Sequence, residues 1–472
     1  MKLFAILSVV LFLSFSPVSS FAIVKVACVG ASITEGVGTE PGAQQSFPAQ
    51  LQTLLGSGYL VNNYGMSGCT LIRKGNQPYW NTKQYQEALA ALPDIVVIDL
   101  GGNDSKLVNR PFLDEYAKDC RDMIDAFRAL PSHPRIILLA PIPSFQPDTT
   151  QLYSGVMKRT IIPQLQRVAY EAQVEVIDMF SLFIDKAGLI PDNIHPNNEG
   201  AGIYAKRLFE LIKAKRETAY DIFNSLPEDK SISSFYGYNC ADFVLNGKKC
   251  KVVKPRWAAV NHPWIWRARF WGHEPQTDIA LLERGFHVVY CDVAELFGNE
   301  EAISSWNGFY ALLHKAGLGK KAVLEGMSRG AVYAFNWAAV NRDKVAAVYV
   351  DNPVLDLKTW PAGLGKVPVS RNEFEQFKTD YHLTTDEEVR AFKGSPIDKV
   401  KEIVKGKYPV LILCADADEA VAPEENTYLF EQKVKALKGN ITVYHKPGFK
   451  HHPHSLPDPT PIVDFILTAT NH

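Results

Sequence analysis

The stretch Ile23-Val24-Lys25-Val26-Ala27-Cys28-Val29-Gly30-Ala31-Ser32-Ile33-Thr34-Glu35-Gly36 decides how the first half of the chain is read. An apolar run bounded by glycine fits a strand buried on both faces of a parallel sheet. Gly30 then opens a turn, and Ser32 stands at the strand's end, where a hydroxyl can meet solvent. From there to about residue 216, apolar runs at 24–29, 95–100, 135–140 and 174–177 alternate with amphipathic stretches at 47–55, 114–130, 151–172 and 200–215. That rhythm predicts a parallel sheet covered by helices on both faces.

Further along, residues 217–234 are polar and contain Pro227 and the serine cluster Ser231, Ser233 and Ser234, so they read as a linker. A hairpin follows, with Asn246-Gly247 as its two-residue turn and strands at 236–244 and 248–253. Its register pairs Phe243 with Cys250 and Cys240 with Val253, which disfavours a Cys240–Cys250 disulfide. Strands at 257–260, 286–291, 322–325, 345–350, 410–414 and 441–445 then alternate with helices. The fold class is α/β, with two three-layer domains at 23–216 and 235–472, and an insert at 351–407 reads as a cap in the second.

Ser328 lies in Gly326-Met327-Ser328-Arg329-Gly330, after the apolar 321–325 and before a helical 331–340. This strand–turn–helix is what a nucleophile elbow needs. A serine hydroxyl needs a base, and the base needs a carboxylate to orient it. Asp418, in Asp418-Glu419-Ala420-Val421, is the first choice of acid, ahead of Asp416 and Asp351. His451, three residues after Gly448, is the first choice of base, with His452 next. The N–H of Arg329 and one from the loop 261–269 would form the oxyanion hole, and Trp264 is the expected second donor because Pro263 has no N–H. Arg267, Arg269, Trp266 and Trp360 are expected to bind substrate, the cations favouring an anionic sugar and the indoles stacking on its faces.

The first half resembles the SGNH (GDSL-type) hydrolases over nearly its whole length. The resemblance rests on Ser32 in Gly30–Gly36, Gly65 in Asn63-Tyr64-Gly65-Met66-Ser67-Gly68, Asn103 in Gly101-Gly102-Asn103-Asp104, and Asp192-Asn193-Ile194-His195-Pro196. It implies a flavodoxin-like sheet, a triad of Ser32, Asp192 and His195, and an oxyanion hole from the Ser32 amide, Gly65 and Asn103. Two departures stand out: Ala31 replaces an aspartate that supports the turn, and Gly102 stands where a threonine is common. The second half, over about 235–467, resembles the α/β-hydrolase carbohydrate esterases, and most of all the pectin methylesterases acting on rhamnogalacturonan-II. The marks are the 261–276 stretch, Gly326–Gly330, Asp416–Pro423 and His451–Ile462. The resemblance implies methyl-ester hydrolysis on Ser328, with acetyl or feruloyl esters as alternatives, and a first module that is either a second esterase or a glycan-binding unit.

Composition sets the frame. The 472 residues are 46% hydrophobic and 21% charged, with a net charge of −1, so no bulk field draws the chain to nucleic acid or an anionic membrane. Lys2, the apolar 3–15, and small residues at Ser20 and Ala22 read as a signal peptide over 1–22. Secretion to a periplasm is therefore expected, without a membrane anchor. The expected partner is a plant cell-wall oligosaccharide. No cofactor is expected, and none of the seven cysteines shows zinc spacing.

Overall fold

A computed structural model describes residues 23–471; the signal-peptide reading falls outside them. The first domain is built on five parallel strands, β1 (Val24–Gly30), β2 (Tyr59–Gly65), β3 (Ile95–Asp99), β4 (Arg135–Leu139) and β5 (Glu175–Ile177), in the order β2-β1-β3-β4-β5. Separate apolar cores cover its two faces. One includes Val96, Met123 and Leu165, the other Val97, Leu51 and Leu208. In such a sheet ligands bind beyond the strands' carboxyl ends, where the order reverses, here between β1 and β3. Ser32 follows β1 and Asn103 follows β3.

Five further segments lead into the second sheet: β6 (Arg216–Glu217), β7 (Ser231–Phe235), β8 (Tyr238–Leu245), β9 (Lys248–Lys254) and β10 (Ala258–Ala259). The remainder are β11 (Trp264–Arg267), β12 (His287–Cys291), β13 (Ala322–Met327), β14 (Val345–Asp351), β15 (Val410–Ala415) and β16 (Ile441–Lys446). Nine of these form one mixed sheet, β16-β15-β14-β13-β11-β12-β9-β8-β7, while β6 and β10 pair apart from it. The turn at Asn246-Gly247 sets the hairpin register, Phe243 opposite Cys250 and Cys240 opposite Val253. Two cores again flank the sheet, so both domains are three-layered.

Two expectations need correction. The stretch read as a linker is folded: β7 is the sheet's edge strand and pairs with β8. Its residues are polar because four of the five are exposed, not because the chain is loose. The strand expected at 257–260 is reduced to β10; the true sheet strand is β11, which pairs in parallel with both β12 and β13. All four residues of β11 are buried, so its charged terminus Arg267 hid a central strand.

The domains meet through polar contacts. Arg207 Nη2 lies 2.7 Å from Glu283 Oε2 with both side chains buried, and Glu283 Oε1 accepts the Asp178 N–H at 2.6 Å. Tyr238 Oη donates to the Val176 carbonyl at 3.4 Å.

Candidate active sites

In the first domain β1 delivers the chain to a short helix, Ser32–Glu35, with Ala31 at its cap. His195 Nε2 is 2.8 Å from Ser32 Oγ, and His195 Nδ1 is 2.6 Å from Asp192 Oδ2. Asp192 Oδ1 accepts the backbone N–H groups of Ile194 at 2.9 Å and His195 at 2.6 Å. Desolvation works against the Asp192 carboxylate, but the hydrogen bonds from His195 and Ile194 outweigh it and hold its pKa below the ordinary value. The acid therefore stays ionised and holds the imidazole with Nε2 toward the serine.

Ser32, Asn103, Gly102 and Asp99 line one small cavity. Asn103 is buried and donates to the Cys69 carbonyl at 3.1 Å. Gly65 is placed differently from expectation. Its N–H is spent on Asn63 Oδ1 at 2.9 Å, so it is not free for an oxyanion. A Cβ there would sit 2.1 Å from the Glu35 nitrogen, so this glycine serves close packing against the Ser32 helix. Gly68, with φ of 79°, lies on the same loop, and its N–H has no acceptor among the described residues. This second glycine of Gly65-Met66-Ser67-Gly68 was not singled out in the sequence.

Sequence reasoning also missed Asp99. It pairs in register with Gly30, accepts from Thr34 Oγ1 at 3.1 Å, and shares the cavity with Ala31. Burial pushes its carboxyl up to about 6, against the opposing Thr34 hydrogen bond. A carboxyl absent at position 31 is thus present on the adjacent strand.

In the second domain Ser328 sits between β13 and the helix Gly330–Val340 with φ of 47°. That left-handed backbone is costly for a serine and is held by the Ser328 N–H donating to the Asp351 carbonyl at 2.8 Å. A Cβ on Gly326 would lie 2.7 Å from the Ala331 nitrogen, so glycine is required; at Gly330 the nearest atom would be 3.6 Å away, an ordinary contact. His451 Nε2 is 3.0 Å from Ser328 Oγ, and His451 Nδ1 is 2.6 Å from Asp418 Oδ2. Asp418 Oδ1 accepts from the N–H groups of Ala420 and Val421 at 2.8 and 2.9 Å. The alternatives lie elsewhere: Asp416 bonds His445 and Tyr428, and Asp351 bonds Lys446. His452 is exposed.

Most of the expected substrate contacts are not where the sequence put them. Trp264 begins β11, at the end away from Ser328, and its indole donates to the Gly319 carbonyl at 2.7 Å. The chain leaving β11 passes the elbow instead: the Arg269 nitrogen lies 3.8 Å from where a Gly330 Cβ would be. Trp266 is fully buried and stacks on Trp306 at 4.2 Å, so it offers no face to a sugar. Arg267 is buried between Asp278 and Glu325, at 2.8 and 3.1 Å, so its guanidinium is engaged inside the core. Arg269 and Arg329 do reach the site wall, but as paired charges. Arg269 bonds Glu295 at 3.2 Å, and Arg329 pairs with Glu373 of the insert and lies 4.4 Å over Phe297. Trp360 is half-buried, with its ring 6.3 Å from Phe297.

Among the described residues, two groups have metal-compatible spacing: His451, His452 and His454, and Cys414, Asp416 and His445. The first shares His451 with the triad, whose ring nitrogens are both engaged.

Residues 28–203 match the model of the GDSL-like Lipase/Acylhydrolase family, so that match falls on the first domain. An acetylxylan esterase of Xylanibacter ruminicola is 39% identical over 209 residues, which is 40% of this chain and 42% of that protein. The chain therefore spans less than half the length of this curated relative. Among solved structures, a carbohydrate acetylesterase family member from Sinorhizobium meliloti is 20% identical, over 40% of this chain and 98% of its own, with a TM-score of 0.34. An acylaminoacyl peptidase from Pyrococcus horikoshii is 17% identical, over 49% of this chain and 38% of its own, with a TM-score of 0.36.

Proposed function

We propose that the chain is a serine carbohydrate esterase with two hydrolytic centres. The observation that carries this is the same relay found twice, serine Oγ to histidine Nε2 and histidine Nδ1 to aspartate, in separate domains. At each centre the histidine takes the serine proton as Oγ attacks the ester carbonyl. The same proton then goes to the leaving alcohol, and water, activated by the same histidine, hydrolyses the acyl-enzyme. Backbone N–H groups stabilise the tetrahedral oxyanion: those of Ser32 and Gly68 with the Asn103 amide at the first centre, and those of Arg329 and Arg269 at the second.

For the first centre the substrate we propose is an acetyl ester on a polysaccharide. The GDSL-like match over 28–203 and the acetylxylan esterase relative support it. For the second, the substrate is a methyl ester of galacturonic acid in pectin, a plant cell-wall polysaccharide, reached after secretion. This reading rests on the motif resemblance at Gly326–Gly330, Asp416–Pro423 and His451–Ile462. No free cation supports it, since Arg269 and Arg329 are paired.

The test is wild type against Ser32→Ala, Ser328→Ala and the double variant on acetylated, methylated and feruloylated oligosaccharides. Acetate release should vanish with Ser32→Ala and methanol release with Ser328→Ala. If Ser32→Ala changes nothing, the first domain is a binding module; if Ser328→Ala retains methanol release, the second assignment fails.

A further inference from the structure

A cleft of about 470 Å³ opens between the two domains, at the amino ends of β4 and β5 and so at the far end of the first sheet from Ser32. Four guanidinium side chains line it, from Arg128, Arg135, Arg216 and Arg256, against a single carboxylate, Glu175. Arg135 uses that carboxylate up, at 2.6 and 2.8 Å. Arg216 and Arg256 are left with neutral acceptors: the Trp257 and Glu283 carbonyls for one, and Gln173 and the Ala169 and Gly237 carbonyls for the other. The Nε of each is buried with no partner among the described residues. Collecting like charges out of water without a counter-charge is costly, and desolvation lowers the pKa of both. Trp257 forms part of the wall and is 37% exposed.

We infer that this cleft binds a carboxylated sugar, its carboxylate meeting Arg216 and Arg256 and a ring face resting on Trp257. The volume lies within the range of small-ligand sites, and guanidinium recognition of carboxylate is strong where water is scarce. The test is calorimetric titration of the whole chain with a galacturonic-acid disaccharide, with cellobiose and sodium sulfate as comparators. One binding event should weaken at least tenfold in Arg216→Gln/Arg256→Gln and severalfold in Trp257→Ala, with ester hydrolysis at both serines unchanged. Equal binding of cellobiose overturns the inference, as does a double variant that binds like wild type. Sulfate competing equally while Trp257→Ala is silent reduces the cleft to a simple anion site and also overturns it.

A second site rests on strand register. Cys291 of β12 faces Cys250 of β9 in an antiparallel pair. The next pair along is hydrogen-bonded, Asp292 N–H to the Lys249 carbonyl at 2.8 Å, so Cys250 and Cys291 form a non-hydrogen-bonded pair. Such a pair holds its Cα atoms about 4.5 Å apart, inside the ~4.4–6.8 Å window of a disulfide.

The register assigns a Cys250–Cys291 disulfide to the oxidised protein. Both S–H bonds break, one S–S bond forms, and two protons and two electrons pass to a small-molecule disulfide, which leaves as two thiols. After equilibration with oxidised glutathione, alkylation of the denatured chain should label five of the seven cysteines, and digestion should yield one linked peptide joining 250 to 291. Cys250→Ser should show six labels in either redox state. Seven labels after oxidation, or a linked peptide joining another pair, overturns the assignment.

Discussion

The two serine centres reach nearly the same distances by opposite routes. In the first domain acid and base are three residues apart on one loop, and Asp192 binds the backbone of its own motif. In the second the acid and base are 33 residues apart, on loops after β15 and β16, and the serine is held in a left-handed conformation. The Asp192 side chain is 51% exposed and that of Asp418 is 2%. A local motif carries its own geometry and tolerates water. A dispersed triad depends on the packing of a sheet and excludes water around its acid.

The sharpest break of this comparison is to neutralise the two acids. Asp418→Asn should lower turnover at the second centre about ten-thousand-fold, the loss expected when a buried acid can no longer hold the imidazole tautomer. Asp192→Asn should cost the first centre less, about a hundredfold, because solvent reaches the same nitrogen. Single-turnover rates on matched esters measure both, and equal losses would show that exposure of the acid does not matter.

Next comes the elbow. Gly326→Ala should destabilise the protein by about 2–4 kcal/mol, since its Cβ would meet backbone. Gly330→Ala should stay within about 1 kcal/mol, a difference that denaturant melts resolve.

A smaller effect concerns Asp99. Its folded pKa is raised from 3.8 to about 6, so the folded chain binds the proton more tightly than the unfolded one. Stability from this group is full below about 4 and declines as pH rises to about 6. Asp99→Asn should abolish that decline and leave the variant relatively more stable at pH 7 than at pH 4, measured by chemical denaturation. Smallest is Glu373→Gln. By leaving Arg329 with only the exposed Glu295, 3.5 Å away, as an ionic partner, it should lower KM for a uronate ester about two- to threefold, the size expected for a partly exposed charge pair.

How much of this was legible before the structure follows the same divide. Ser32, Asp192 and His195 were found through the resemblance to the SGNH hydrolases, and the structure brings the three within hydrogen-bonding distance. Ser328 was found because an elbow needs a strand, a turn and a helix in sequence order. The edge strand β2 was missed because Asn62 and Asn63 interrupt its apolar pattern and none of its seven residues is fully buried. The displaced third strand cost more. Placing it at 257–260 in place of Trp264–Arg267 moved the whole following loop, so Trp264, Trp266 and Arg267 were assigned to a site that they support only from inside the core. Buried arginine looks like a binding residue until its partners, Asp278 and Glu325, are seen to come from 11 and 58 residues away.

The Arg207–Glu283 pair crosses from one domain to the other with both side chains buried. Cutting the chain between the domains would leave each half with a solvent-exposed charge where it now has a buried partner, and would strip the Asp178 N–H of its acceptor. Within the intact fold, substituting one member would leave the other charge buried and unpaired, which typically costs about 3–5 kcal/mol. The buried pair couples the two halves: the intact chain should melt in a single calorimetric transition, although it is built on two sheets with two cores each.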